Sequence, residues 1–168
     1  ISHIVEQAIA NLAEPAMGAG VTVTTEIEEN LLVNGDRQQL RSALQNLLDN
    51  AIKYSEPGGE IRVTTRRRGE WVSISVADEG IGIPEGDLDR VFERFYRVDA
   101  ARRRETGGTG LGLSIVRHVV INHGGDVSAV SVEGEGTTFT IELPVLLGSD
   151  DHATAAEEIA MSDEHRNV

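Results

Sequence analysis

Four runs of alternating apolar and polar residues constrain the fold of this chain more than any other feature. An apolar residue at every second position is typical of a strand with one buried face. Gly69 separates the first two runs and GEG (134–136) separates the last two, so each pair is predicted to form a β-hairpin. The runs are EIRVTTRRR (60–68), EWVSISVAD (70–78), DVSAVSVE (126–133) and TTFTIELPV (137–145).

Three longer segments have apolar residues at helical spacing, and Asp36 is a natural N-cap for the second of them. These segments are 3–18, 37–54 and 111–123, and a further helical piece is predicted at 88–96. Residues 21–28 and 31–35 are predicted to be short strands. Clustered strands beside few helices predict an α/β fold. We expect a two-layer sandwich in which a mixed, mostly antiparallel sheet of about five strands carries about three helices on one face.

Composition limits the classes of function. With 168 residues, 39% of them apolar, the chain is long enough for one domain with its own core. No cysteine is present, which excludes disulfides and thiolate metal sites, and no apolar run approaches the roughly 18 residues of a membrane span. The net charge of −13 argues against a general nucleic-acid binder. Because the chain begins with Ile1 rather than Met, we expect it to be a fragment of a longer protein.

The stretch GGTGLGLSIV (107–116) has glycines at alternating positions just before a predicted helix. It is not a P-loop, because no Gly-Lys pair occurs in the chain. It is not a dinucleotide fingerprint either, because its spacing is G-x-G-x-G and no buried strand precedes it. Amides at the start of a helix can hold a phosphate, whereas glycines can also form a simple hinge. A phosphate cradle and a hinge therefore both stay open for Gly108 to Gly112.

The segment 37–54 also has a polar face. Asn46, Asn50 and Lys53 fall within about 60° of one another on a helix, and Asp49 lies beside them. Amide oxygens are suitable ligands for Mg²⁺, and a lysine is suitable for phosphate. An ordinary solvated face is the alternative.

A third motif, DEGIGIP (78–84), follows a predicted strand. Asp78 at the strand end could accept a hydrogen bond from an exocyclic amine, and Gly80 and Gly82 would let the backbone approach a flat ligand. An ordinary Asp-Gly turn explains the same residues.

Together and in this order, the motifs resemble the ATP-binding domain of DNA gyrase, heat-shock chaperones, histidine kinases and mismatch-repair ATPases, which has the Bergerat-type fold. The resemblance covers about residues 5–145. VFERFYR (91–97) resembles the F box, which marks sensor histidine kinases within this superfamily. The other matching segments are 46–54 (N box), 78–82 (G1 box), 108–112 (G2 box) and GEGTTFTIELP (134–144, terminal hairpin).

The resemblance implies an ATP- and Mg²⁺-dependent transferase, a protein-histidine kinase of two-component signal transduction. It implies that Asn50 binds Mg²⁺, that Lys53 and Arg97 meet the phosphates, and that Asp78 accepts the adenine amino group. Asn50, Lys53 and Arg97 are therefore the expected catalytic residues. The residues that it marks for nucleotide binding are Asn46, Asn50, Lys53, Tyr54, Asp78, Gly80, Gly82, Ile83, Arg97, Gly108, Thr109, Gly110, Leu111, Gly112 and Thr138.

The resemblance also implies parts that this sequence lacks. None of the five histidines is followed by the residues of the family's H box, so the phosphoacceptor histidine is expected in a helical dimerisation domain upstream of Ile1. That domain is one expected partner, and a response regulator receiver domain is another through the full-length protein. The fragment is expected to be cytoplasmic and monomeric, and the full-length protein to be a homodimer anchored in the cell membrane. No nucleic-acid partner is expected.

The expected domain organisation is an ATP-binding domain at 1–147, with a lid at about 84–107 anchored by Phe92 and Phe95, and an acidic, disordered tail at 148–168. Two other interpretations stay open: a serine kinase or ATPase of the same superfamily, and a non-catalytic nucleotide-sensing module. The F box and the hairpin that ends in IELP argue against the first. The completeness of the nucleotide-binding boxes argues against the second.

Overall fold

The computed structural model of this protein describes residues 1–98 and 109–146. Part of the expected lid, with Gly108, and the expected tail lie outside the described residues. The helices are α1 (Ser2–Ala19), α2 (Arg37–Tyr54) and α3 (Gly112–Asn122). The strands are β1 (Thr22–Ile27), β2 (Glu60–Arg68), β3 (Trp71–Asp78), β4 (Asp126–Val132) and β5 (Gly136–Pro144).

The strands form one mixed sheet in the order β1-β2-β3-β5-β4. β1 is parallel to β2, and all other neighbours are antiparallel. Both predicted hairpins are present, and they join each other through β3 and β5. The chain passes through α2 between β1 and β2, as a parallel pair requires a crossover connection. The predicted two-layer α/β fold is confirmed.

One face of the sheet carries the core. The strand register aligns Val63, Val76 and Phe139 across three strands, and all three side chains are buried. The residues immediately before and after each of them in its strand point to the opposite face, because side chains alternate along a strand. Buried residues of α1, α2 and α3 belong to the same apolar cluster as this face. The helices therefore form the second layer, and any site between the layers lies where this cluster ends.

α2 has the bounds that the sequence predicts. The Oδ1 atom of Asp36 accepts hydrogen bonds from the backbone N–H groups of Gln38 at 2.8 Å and Gln39 at 3.0 Å. Such an N-cap contributes about 1 kcal/mol. At the other end the backbone becomes extended at Ser55, whose N–H still bonds to the carbonyl oxygen of Ala51 at 3.0 Å. Because both ends of α2 are fixed, the face that meets the core and the face that stays polar are fixed as well.

The prediction of a strand at 31–35 is wrong. In this segment only Val33 makes a β-bridge, with Val145. The chain must turn into the N-cap of α2 at Asp36, and Gly35 packs closely against the ring of His123. These constraints leave no room for a regular strand.

The prediction of a helix at 88–96 is also wrong. A short 3-10 turn at Glu85–Asp87 is followed by successive turns. Phe95 has a left-handed backbone with φ of 66°, and its N–H donates to the carbonyl oxygen of Gly110 at 2.9 Å. This bond replaces the one that a continuing helix would have required.

Among residues 1–98 and 109–146, none of the helices combines the length and the hydrophobicity that a bilayer crossing needs.

Candidate functional site

A cleft of about 450 Å³ opens where the apolar layer between α2 and the sheet ends. This volume lies in the range of small-molecule sites. Its walls come from α2, from the loop after β3, from the segment 91–98, from the start of α3 and from the start of β5. The predicted site residues that line it are Asn46, Asn50, Lys53, Tyr54, Asp78, Gly82, Ile83, Arg97, Thr109, Gly110 and Gly112.

The polar face of α2 forms one wall of the cleft. The side-chain Nδ2 of Asn46 donates to the carbonyl oxygen of Ser42 at 2.8 Å, one turn earlier in the helix. Because the donor is used within α2, the Oδ1 atom is directed toward α3, where a β-carbon on Gly112 would lie 3.0 Å from it. Glycine at this position therefore allows the start of α3 to approach the asparagine.

Lys53 and Arg97 bring two positive charges into the cleft. Burial lowers the pKa of the Lys53 ammonium, and the nearby Arg97 guanidinium lowers it further. The Nζ atom of Lys53 also lies 5.3 Å from the centre of the Tyr54 ring. Two neighbouring cations in one cleft are suited to an anionic ligand with more than one charge.

Asp78 ends β3 on the core face of the sheet, in register with Thr137 of β5. Its Oδ1 atom accepts the backbone N–H of Gly80 at 2.9 Å. Burial raises the pKa of the Asp78 carboxyl, while the N–H groups of Gly80 and Thr137 partly offset this effect. A desolvated carboxylate at the wall of a cleft is a strong acceptor for a ligand N–H group.

The loop after β3 is fastened to both neighbouring walls. On one side the N–H of Ile81 donates to the carbonyl oxygen of Tyr54 at 3.1 Å. On the other side the N–H of Ile83 donates to the hydroxyl of Ser131 at 2.8 Å. Gly82 has φ of 69°, and a β-carbon there would lie 2.2 Å from the carbonyl oxygen of Val132, so only glycine fits. The loop is a firm wall of the cleft.

Three of the predicted site residues that the structure describes do not line the cleft. Thr138 lies on the opposite face of the sheet, because β5 alternates and its neighbours Thr137 and Phe139 line the cleft. Gly80 and Leu111 are not among the residues that line the cleft. Gly108 lies outside the described residues.

The two phenylalanines of the predicted lid anchor have different environments. Phe92 is buried, and its ring meets the ring of Phe139 edge-on at 6.0 Å between centroids. Phe95 is 72% exposed, so its ring packs little against the described residues.

Sequence reasoning missed several lining residues. Ser55 lies directly after α2 and lines the cleft, and its buried hydroxyl has no hydrogen-bond partner among the described residues. Thr137 replaces the predicted Thr138, and Tyr96 lines the cleft beside Arg97. The phenol of Tyr96 donates to the carboxylate of Asp87. The alternation about the buried Phe139 could have identified Thr137, whereas no local signal identifies Ser55.

Comparison with known proteins gives a consistent result. Residues 35–147 match the family described as histidine kinase-, DNA gyrase B-, and HSP90-like ATPase. Sensor-like histidine kinase SenX3 of Mycolicibacterium smegmatis is 42% identical over 158 residues, which cover 94% of this chain and 41% of SenX3. Sensor histidine kinase WalK of Bacillus subtilis is 49% identical over 119 residues, which cover 70% of this chain and 20% of WalK.

Solved structures with the same fold are also histidine kinases. The mycobacterial sensor histidine kinase MprB is 30% identical with a TM-score of 0.76, over 86% of this chain and 93% of that one. Full-length ShkA in complex with AMPPNP is 28% identical with a TM-score of 0.75, over 87% of this chain and 30% of that one.

The chain therefore belongs to the family of histidine kinase-, DNA gyrase B- and HSP90-like ATPases. Within it, the chain corresponds to the catalytic, ATPase-type domain of the sensor histidine kinases. It spans about two fifths of the length of SenX3. The predicted family is confirmed.

Proposed function

We propose that this chain binds Mg²⁺-ATP in the cleft and that the full-length protein transfers the γ-phosphoryl group to a histidine outside this chain. One observation carries the proposal. A single cleft combines the partly buried carboxylate of Asp78 with two cations, Lys53 and Arg97. This charge arrangement is complementary to a ligand with an amino-bearing base and a polyanionic chain.

Asp78 is the proposed contact for the base. Its carboxylate can accept a hydrogen bond from the exocyclic amine of adenine. The corresponding position of guanine is a carbonyl oxygen, which would leave two acceptors facing each other at a cost of about 1–3 kcal/mol. The bonds from Gly80 and Thr137 hold the carboxylate in place, so the discrimination is built into the rigid end of β3.

Lys53, Arg97 and the start of α3 are the proposed contacts for the phosphates. The pKa of Lys53 is lowered first by burial of the ammonium and then by the Arg97 guanidinium, and the negative charge of a bound triphosphate would offset both effects. The backbone amides at the start of α3 add partial positive charge at the same wall. Gly110 and Gly112 line the cleft there without a side chain in the way.

Asn50 is the proposed protein ligand for Mg²⁺, with Asn46 beside it. The described residues contain no cluster of three or more His, Asp or Glu side chains that could hold a metal alone. The side-chain amide oxygen of Asn50 is available in the lining of the cleft, and Mg²⁺ takes oxygen ligands and completes its coordination with substrate phosphates and water. When bound, the ion would supply neutralisation of the phosphate charge.

Phosphoryl transfer requires mainly positioning and charge stabilisation from the protein. Lys53 and Arg97 would stabilise charge on the transferred group, while Asp78 holds the opposite end of the nucleotide. The sensor kinases that resemble this chain extend well beyond it. We therefore propose a helical dimerisation domain with the phosphoacceptor histidine, a response regulator as the downstream partner, and a membrane-anchored homodimer as the full-length form.

The test uses the 168-residue chain and a separately prepared helical-hairpin domain with an H box. Calorimetry should show binding of ATP and markedly weaker binding of GTP, each measured with Mg²⁺. Radiolabelled ATP should label the hairpin domain weakly in trans, because the tether that normally raises the effective concentration is absent. The chain itself should stay unlabelled. Labelling of His3, His118 or His123 would contradict the proposed transfer to an external histidine.

A further inference from the structure

His123 connects the end of α3 to the beginning of α2, and the same two helices are also in contact at the cleft. It follows the last residue of α3, and its Nε2 atom lies 2.9 Å from the backbone nitrogen of Asp36, the N-cap of α2. Its Nδ1 atom lies 2.7 Å from the carbonyl oxygen of Val119, one turn earlier in α3. The imidazole is therefore a bridge between the end of α3 and the beginning of α2.

The two partners define the protonation of this ring. A backbone carbonyl can only accept a hydrogen bond, and a backbone N–H can only donate one. Nδ1 must therefore carry the proton, and Nε2 must present its lone pair to Asp36. Only the neutral imidazole with its proton on Nδ1 makes both bonds.

The packing around the ring is specific. A β-carbon on Gly35 would lie 2.3 Å from Cδ2 and 2.8 Å from Nε2 of His123. Two residues further along the chain, a β-carbon on Gly125 would lie 2.2 Å from the carbonyl oxygen of Glu142 in β5. The absence of side chains at both glycines allows the ring and the end of α3 to be held between α2 and the sheet.

A second contact between the same helices lies at the cleft, where Gly112 approaches the Oδ1 atom of Asn46. The pairs Asp36–His123 and Asn46–Gly112 run in opposite directions along the two helices, so α2 and α3 are antiparallel. An 11-residue helix such as α3 is about 16 Å long. The two contacts at its ends therefore fix both the position and the tilt of α3 along α2.

We propose that His123 is a positioning residue for the phosphate end of the cleft. It sets the position of α3 along α2 and thereby the distance between the first amides of α3 and the side chains of Asn46 and Asn50. This proposal rests on the nucleotide-binding function proposed above. His123 does not line the cleft, so it acts through α3. Without the bridge, the end of α3 is no longer held at the beginning of α2, so α3 can shift along α2 and displace its first amides, and only ligand groups that meet the start of α3 are affected.

The first test compares ATP with adenosine, which lacks the phosphates. His123→Phe keeps a ring but removes both hydrogen bonds, whereas His123→Gln offers an Oε1 acceptor to Asp36. We expect His123→Phe to weaken Mg²⁺-ATP binding by about five- to tenfold, an effect comparable in size to the net contribution of one hydrogen bond. Adenosine affinity should stay unchanged, and His123→Gln should recover most of the loss. The control is His118→Phe, on the same helix, where Nε2 contacts the Asn122 side chain instead; its ATP affinity should equal the parental value.

Two results would overturn this role in a folded His123→Phe protein: unchanged ATP affinity, or equal losses for ATP and adenosine. A second test needs no variant and covers the case in which His123→Phe does not fold. Imidazole ¹⁵N spectra of the nucleotide-free parental chain at neutral pH should show a protonated Nδ1 and an unprotonated Nε2 for His123. A proton on Nε2 would refute the bridge. A parental chain that binds neither ligand would refute the proposed function, and the imidazole spectrum would still decide whether the bridge exists.

Discussion

Asp78 and Thr137 face each other across β3 and β5, and the backbone N–H of Thr137 donates to the Asp78 carboxylate. The strand pairing therefore orients the side chain that we propose to read the base. Gly80 adds a second backbone donor at 2.9 Å, so two rigid elements determine where the carboxylate lies.

Asp78→Asn should weaken ATP binding by at least about tenfold, because the amide presents a donor or a weaker acceptor to the adenine amine. The measurement is calorimetry on a protein whose circular dichroism shows the parental fold. Asp126→Asn is the matched control, since Asp126 is exposed at the start of β4 and far along the sheet from Asp78. Parental ATP affinity in a folded Asp78→Asn protein would remove Asp78 from the site.

The carboxyl of Asp78 should also make the stability of the nucleotide-free protein depend on pH. Burial raises the pKa of Asp78 in the folded state above its ordinary value of about 4. The folded state therefore binds the proton more tightly, and stability falls as pH rises from this ordinary value through the raised pKa. Asp78→Asn lacks this titration. The free energy of unfolding of the variant minus that of the parent should therefore increase as pH rises over that interval. Urea unfolding at a series of pH values measures the difference, and a difference that is flat or falls with pH would contradict the assignment.

Asn50→Ala should abolish the difference between ATP titrations with and without Mg²⁺. The physical reason is that the variant lacks the side-chain oxygen that we propose to hold the ion. Phosphoryl transfer to the supplied hairpin domain should be lost at the same time. Gln45→Ala, on the same helix but outside the cleft, should keep the parental dependence on Mg²⁺. A folded Asn50→Ala protein with an unchanged rate of transfer would exclude this role.

Gly112→Ala should lower ATP affinity by about three- to tenfold while the protein stays folded. The new methyl group would lie 3.0 Å from Oδ1 of Asn46, so either the asparagine or the start of α3 must move. Gly18→Ala is a suitable control, because a β-carbon there has nothing within 4 Å in α1. The control should bind ATP normally and gain about 0.4–1 kcal/mol of stability. Gly112→Ala with parental affinity would show that this contact does not set the phosphate end of the cleft.

Much of the fold could be predicted because the local signals agree with the tertiary structure. The N-cap at Asp36 and the turn after Tyr54 gave the bounds of α2, and alternation gave both hairpins. The wall residues of α2 could be identified because helical spacing alone puts Asn46, Asn50 and Lys53 on one face.

The failures occurred where distant residues decide the local backbone. Phe95 bonds to Gly110, fifteen positions away, and this contact prevents a helix that the local pattern favours. Thr138 was placed in the site by its motif, although the side-chain alternation about Phe139 puts Thr137 there instead. Ser55 has no local signal, because its place in the lining of the cleft depends on the β-bridge between its backbone and that of Gly80, which is distant in sequence.

The parallel pairing of β1 with β2 has a consequence for the order of folding. Thr22 pairs with Glu60, so this ladder cannot close until the chain between them, which contains α2, has come together. Closing such a long loop loses chain entropy before any contact compensates for it, and pairings of this kind tend to form late and slowly. The two hairpins, by contrast, join neighbouring segments and can form early. We therefore expect the helix with the proposed magnesium and phosphate ligands to be fixed against the sheet after the hairpins have formed. Because Thr137 and Phe139 of the last hairpin line the cleft, a chain that is still being synthesised should bind nucleotide only after this hairpin is complete.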